Sequence, residues 1–502
     1  MTGDRRLRMF QIGDGLEICL PDTLQEMATY VFLEQEAWFE DEVGFVRRYL
    51  EPGMRAVDIG AAYGAYALVM AKAVGPTGRL WCYEPVAATA AALRRSVERN
   101  AHGWVDVVEA AVADADGEAE IHVGGDVELS TLVPNRTFDA RRREIVRTVD
   151  FGREAGRLEF GALDFVKLDA EGMEMAIVDA APAVFAPEDG PGPLVMMEMY
   201  AGAATSNREP CERMKRLGME AYRLLRGPNV LVPLEGEPLT SETLNAFFCM
   251  PARAQSLAER GLLVRHLPEV SAPPGTWLSL VRTARWFELQ SDVIGGLGDF
   301  PRSNDERDYM AALDLFAVYT ADRQGRPPAE RVAALKRSFE ALKTLCERAP
   351  RLERYLSLAR IGREYSEVPQ TQVALAAFIK ALMESPDPIT FSEPFLLPSR
   401  RIERLLDEGN IRPSERSMEA LIEMAGSATI EVYELHRHLS SYFTANEIDS
   451  LLRIVQSLPY ASAEIERRLL LKSARDIDDI APSAFFAQSA EPPLNPDIWR
   501  PA

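Results

Sequence analysis

RAVDIGAAYGAYAL, residues 55–68, decides how the rest of the chain is read. Apolar Ala56 and Val57 lead through Asp58 to Gly60 and Gly64, and an alanine-rich helical stretch follows at once. Glycines at such a turn let the backbone approach a ligand, and a helix N-terminus directs unpaired N–H groups at an anion. Many nucleotide-binding folds share that much. The spacing narrows the choice: a nicotinamide GxGxxG would need glycines at 62 and 65, where this chain has Ala62 and Ala65. The pattern is DxGxxxG instead, with an acid ahead of the first glycine. A second acid, Glu84, ends the next apolar run in WCYEP, where it can accept hydrogen bonds from both ribose hydroxyls. Asp58 would repel a pyrophosphate but suits a ligand with a cationic end. S-adenosylmethionine has the ribose, a carboxylate for the helix N-terminus, an ammonium and a sulfonium. The donor-binding positions are thus Asp58, Gly60, Ala62, Gly64 and Glu84, with Ala111 and Val112 ending a later run.

Outward from this turn, short apolar runs alternate with helical stretches from Arg55 to about Pro233. The runs are 55–59, 79–83, 105–112, 165–168 and 194–199, and alanine-rich helices are expected at 66–73 and 87–100. Continuous apolar runs are strands buried on both faces, and intervening helices force parallel pairing. The fold class is therefore α/β, a doubly wound Rossmann-like sheet. Residues 221–225 and 230–233, around RGPN, read as an antiparallel hairpin at its end. In the first fifty residues, strands are expected at Gly15–Leu20 and Tyr30–Leu33, and a helix at Asp41–Leu50.

The length, 502 residues, exceeds what one compact core holds. The segments read as an N-terminal cap (1–50), a donor-binding domain (51–265), a Pro/Gly-punctuated linker (266–305), a mainly α-helical domain (306–480) and an irregular tail (481–502). Helix pairs are expected in 307–347 and 351–384, in the manner of helical repeats. That region offers a surface for a protein partner or for self-association. A formal net charge of −21 disfavours nucleic acid or an anionic membrane surface as partner. No apolar run is long enough for a membrane span, the N-terminus lacks a secretory pattern, and five scattered cysteines suit reduced thiols. A cytoplasmic protein is expected.

The ordered set VDIGAAYGAYAL, YEP, DFVKLDAEGMEM and VMMEM resembles the FkbM family of S-adenosylmethionine-dependent methyltransferases. The flanks LEQEAWFEDEVGFVRRYLEPG, YRLLRGPNVLVP and LNAFFCMPARAQSLAERGLL extend the resemblance over roughly residues 20–265. It implies a class I methyltransferase sheet, S-adenosyl-L-methionine as cofactor and a hydroxyl on a sugar, polyketide or similar small molecule as acceptor. Ala62 stands where the family often has Asn, which removes one polar contact to the donor.

In DFVKLDAEGMEM, residues 164–175, an apolar strand runs into Asp169, Glu171 and Glu174. Ligands of doubly wound sheets sit beyond the carboxyl ends of the strands, so Asp169 and Glu171 should project beside the glycine turn. Methyl transfer to an alcohol requires alignment and removal of a proton, and a base contributes about 10²–10⁴ in rate. Histidines are scarce near the strand ends, which leaves carboxylates: Asp169 and Glu171, one positioning and one removing the proton. The same pair could hold a divalent cation, but no firm third ligand stands out, so metal is not favoured. Lys167 is expected opposite Phe165 and Leu168, in a structural ion pair, and Glu174 at a helix start. Glu198 could line the acceptor pocket. Arg136 and Arg141, in the basic stretch 126–150, could recognise an anionic acceptor, although a solvated basic helix face accounts for them better. His436 and His438 fall on different faces of a helix and make no metal site. Two other classes compete with the O-methyltransferase: a non-catalytic donor-binding scaffold, and a nicotinamide oxidoreductase, against which the missing glycine speaks.

Overall fold

Alternate residues of the strand Arg55–Ile59 enter two different cores, which is why the run is apolar throughout. Ala56 joins one face, Val57 and Ile59 the other, and all three are buried. The computed structural model describes residues 6–35, 38–123, 142–199, 208–234, 245–283, 300–321, 325–384, 391–398, 442 and 471–475. In chain order its strands are β1 (Leu7–Ile12), β2 (Leu16–Pro21), β3 (Arg55–Ile59), β4 (Arg79–Tyr83), β5 (Val105–Val108), β6 (Ala111–Ala113) and β7 (Gly117–Val123). They continue with β8 (Arg142–Asp150), β9 (Phe165–Leu168), β10 (Leu194–Glu198), β11 (Glu220–Leu225), β12 (Val230–Pro233) and β13 (Asn245–Cys249). The helices that matter to the site are α1 (Met27–Gln35), α2 (Glu42–Tyr49), α3 (Ala67–Val74) and α4 (Ala87–Arg99).

Eight strands form the main sheet in the order β12-β11-β13-β10-β9-β3-β4-β5. From β10 to β5 the pairing is parallel, while β13, β11 and β12 run antiparallel. The chain winds one way from β3 through β4 to β5 and the other way from β9 to β10. The topological switch therefore lies between β3 and β9, where a ligand crevice is expected. Register places Asp58 beside Lys167 and Ile59 beside Leu168, so both strands end at the same level.

Two elements differ from the sequence reading. Tyr30–Leu33 belongs to helix α1 rather than to a strand. All four side chains are buried, so the helix has no polar face to show its period, and a short apolar run then mimics a strand. Residues 142–150 form strand β8, not a basic helix face; β8 pairs with β6 and β7 in a three-stranded sheet. Arg143, Ile145 and Arg147 are exposed while Val146 and Thr148 are buried, an alternation the run of arginines obscured.

Beyond residue 300, the helices Asn304–Thr320, Pro328–Arg348, Leu352–Glu364 and Val368–Glu384 pack in sequence on one another. Their core also takes in Leu225 and Val230 of the β11–β12 hairpin, with Val264, Val270 and Trp277. The hairpin turn is tied down by Gly227 N–H donating to Glu364 O (3.0 Å) and Arg226 N–H to Ser366 Oγ (2.8 Å). Within the helices, buried Arg354 makes a two-pronged contact with buried Glu393, Nε to Oε2 at 2.8 Å and Nη2 to Oε1 at 2.5 Å. Leu471 and Tyr442 pack against the N-terminal core. Among the described residues, no helix is long and apolar enough to cross a membrane.

Candidate active site

The loop after β3 and the loop after β9 are stitched together at the sheet edge. Asp169 N–H donates to Ile59 O (3.2 Å), and Gly60 and Ala61 N–H groups both donate to Tyr83 O (3.1 and 3.0 Å). Gly60 has φ 77°, and a Cβ there would lie 1.9 Å from the Asp169 carbonyl oxygen. Gly64 does a different job: its missing Cβ makes room for Leu93 of α4, and it does not line the cavity. Ala62 takes φ 44° and donates its N–H to Glu84 Oε2 (3.1 Å), while Val86 N–H reaches Glu84 Oε1 (2.8 Å). Two backbone donors thus aim the Glu84 carboxylate and leave further lone pairs for hydroxyls.

These loops enclose one cavity. Asp58, Gly60, Ala62, Glu84, Ala111, Val112, Asp169, Glu171 and Glu198 all line it. Arg136 and Arg141 lie outside the described residues, as do His436 and His438. Asp58 is fully buried, and neither carboxylate oxygen has a hydrogen-bond partner. Burial, partly offset by Lys167, pushes its pKa up to about 6; burial likewise pushes Glu84 to about 7.

Lys167 lies opposite Leu168 but on the same side as Phe165, as a two-residue period demands, and not opposite both. Its ammonium is 2.7 Å from Asp169 Oδ2 and 3.7 Å from Asp58 Oδ1, and sits 5.2 Å from the Tyr66 ring centre. Burial opposes its charge, but Asp169 and Asp58 outweigh that and hold its pKa above the ordinary lysine value. The expected ion pair is therefore present, and it is inside the site.

Sequence reasoning missed the far wall. Glu40, in the loop between α1 and α2, accepts from Tyr66 OH (2.5 Å), Asn245 Nδ2 (3.0 Å) and Trp38 Nε1 (3.2 Å). Burial raises its pKa, and Tyr66 and Lys167 counter that. Met27, Ala28, Phe32, Trp38 and Phe39 complete an apolar and aromatic wall from the N-terminal segment. LEQEAWFEDEVGF, residues 33–45, holds Trp38, Phe39 and Glu40 of this wall, but nothing local in it points to the cavity. Asp41, next to Glu40, pairs with Arg226 of the hairpin turn (3.1 Å).

At the mouth, ligand atoms of Asp169, Glu171 and Glu198 lie within 4.8 Å of one another. Glu198 is thus the third carboxylate that the sequence did not single out as a metal ligand. Burial and then the charges of Asp169 and Glu171 push its pKa well up. Glu171 has φ 47°, and Glu174 braces this turn by accepting from Ala170 and Gly172 N–H groups (both 3.0 Å).

A sheet with its switch point at β3/β9, an acid and glycine turn on one strand and a backbone-aimed acid on the next defines a Rossmann-like methyltransferase domain. Residues 58–187 match the family model described as Methyltransferase FkbM domain. Over that stretch, about a quarter of its length, the chain carries an FkbM methyltransferase domain, a unit dependent on S-adenosylmethionine. The residues present fit that donor: the buried Asp58 oxygens have no hydrogen-bond partner, and two backbone N–H groups aim the Glu84 carboxylate into the same cavity. No curated protein matches the chain. Fibrillarin from Aeropyrum pernix, crystallised with S-adenosyl-L-methionine, is 16% identical with a TM-score of 0.26, over 50% of this chain and 85% of its own. An O-methyltransferase from Thermotoga maritima is 16% identical with a TM-score of 0.25, over 48% and 76%. A methyltransferase from Aquifex aeolicus is 10% identical with a TM-score of 0.25, over 43% and 91%.

Proposed function

We propose that this enzyme transfers a methyl group to a hydroxyl of a carbohydrate or related small molecule, and that Asp169 and Glu171 handle the acceptor's proton. The observation that supports this reading is the position of Asp169: its backbone caps the glycine turn, while its carboxylate opens into the cavity shared with Asp58 and Glu84. The bound donor supplies a methyl group on positive sulfur, already activated for in-line displacement.

The chain's own tasks are alignment and proton removal. Glu84 accepts from the ribose hydroxyls, and Asp58 faces the donor's ammonium. Lys167 holds the Asp169 carboxylate in one orientation through a 2.7 Å contact. An acceptor hydroxyl entering between Asp169 and Glu171 gives its proton to one of them as its oxygen attacks. The rings of Phe32, Trp38 and Phe39 exclude water and offer apolar faces to an acceptor ring. The test is calorimetry with the demethylated donor, followed by methyl transfer to a library of hydroxylated acceptors. Donor binding with no turnover on any hydroxyl would remove the O-methylation reading.

A further inference from the structure

A cavity that binds a sulfonium through carboxylates faces a difficulty that Lys167 addresses. Methyl transfer converts the positive sulfur into a neutral thioether, so the ligand loses one unit of charge during the reaction. Carboxylates that attract the donor's sulfonium stabilise the ground state more than the product, and such binding works against the chemical step. Among the described residues the cavity is lined by six acids, Glu40, Asp58, Glu84, Asp169, Glu171 and Glu198, and by one cation, Lys167.

That single ammonium is placed among the acids and not at the rim. It is buried, 2.7 Å from Asp169 and 3.7 Å from Asp58, under the Tyr66 ring, with Glu40 on the facing wall. A fixed positive charge in a buried site acts on every other charge within several ångströms, with little screening. Resting on the reading of this cavity as the donor site, we infer that Lys167 is a positioning residue that sets the cavity's preference between sulfonium donor and thioether product. By offsetting Asp58 and Asp169 it keeps the donor from being held too tightly and lets the product compete on near-equal terms. Its second effect is to fix the Asp169 carboxylate for the acceptor.

The measurement is the ratio of dissociation constants, product over donor, by calorimetry on the full chain at about pH 8.5, above the values of about 6 and about 7 to which burial pushes Asp58 and Glu84. Wild type should bind the two within about tenfold. Lys167→Met should raise the ratio by at least about tenfold over wild type, and Lys167→Arg should bring it back to within about threefold. A merely structural lysine would weaken both ligands alike and leave the ratio unmoved. An unchanged ratio in Lys167→Met therefore overturns the inference while the donor site stands. Should Lys167→Met fail to fold, the wild-type ratio decides: a product bound more than about 10³ weaker than donor overturns the inference. Wild type binding neither ligand would overturn the donor-site reading itself, and the inference with it.

Discussion

The carbonyl oxygen of Asp169 occupies the space that a side chain on Gly60 would need. A Cβ there would sit 1.9 Å away, against backbone that cannot swing aside, and Gly60 has φ 77°. Gly60→Ala should therefore push the two strand-end loops apart. The expected outcome is a loss of at least about 2 kcal/mol of stability together with loss of donor binding. Denaturant melts paired with calorimetry check both.

Glu171 lines the cavity beside Asp169 and Glu198. Glu171→Gln should leave donor affinity nearly intact and lower turnover by at least about 10². Near-normal turnover would exclude Glu171 as the base and leave Asp169.

The cavity acids make donor binding pH-dependent. Asp58 titrates near about 6 and Glu84 near about 7 in the ligand-free protein. A cationic donor with hydroxyl groups favours both in their ionised forms, so affinity should rise from acid pH to about pH 8 and binding should release protons. Calorimetry in buffers of differing ionisation enthalpy counts those protons. For stability the sign is opposite: with its folded pKa above the unfolded value, Asp58 contributes fully below about pH 4, and that contribution is lost as pH rises through 6. Asp58→Asn should consequently gain on wild type between pH 4 and 8, by on the order of 2–3 kcal/mol. Denaturant midpoints of the two proteins across that range supply the comparison.

Arg354 and Glu393 are both almost wholly buried, at 1% and 0% side-chain exposure. Arg354→Met leaves buried Glu393 without its two-pronged partner, facing only the half-exposed Arg351 at 3.4 Å, and should cost about 3 kcal/mol. Replacing both with apolar residues should recover most of the loss, which thermal unfolding of the single and double variants would show.

The parallel sheet and the gathering of Asp58, Gly60 and Glu84 at one cavity were legible because each signal was local. Asp58, Gly60 and Glu84 lie at the ends of apolar runs, and strand ends of a doubly wound sheet converge without further information. The spacing at Gly64 suggested ligand contact; what the structure shows there is room for Leu93 where a side chain would be. The aromatic wall and its Glu40 were not legible, since Glu40 meets Tyr66 and Asn245 only through contacts 26 and 205 residues apart in sequence. Helix α1 was hidden by complete burial, and strand β8 by arginines on its exposed side.

The hairpin turn at 226–229 reaches into the helices, and its Arg226 grips Asp41 beside the cavity. A chain ended after residue 265 would present Leu225 and Val230 to water and free the anchor of the Glu40 loop. Anyone trimming the protein at that point would remove the brace of the cavity's aromatic wall.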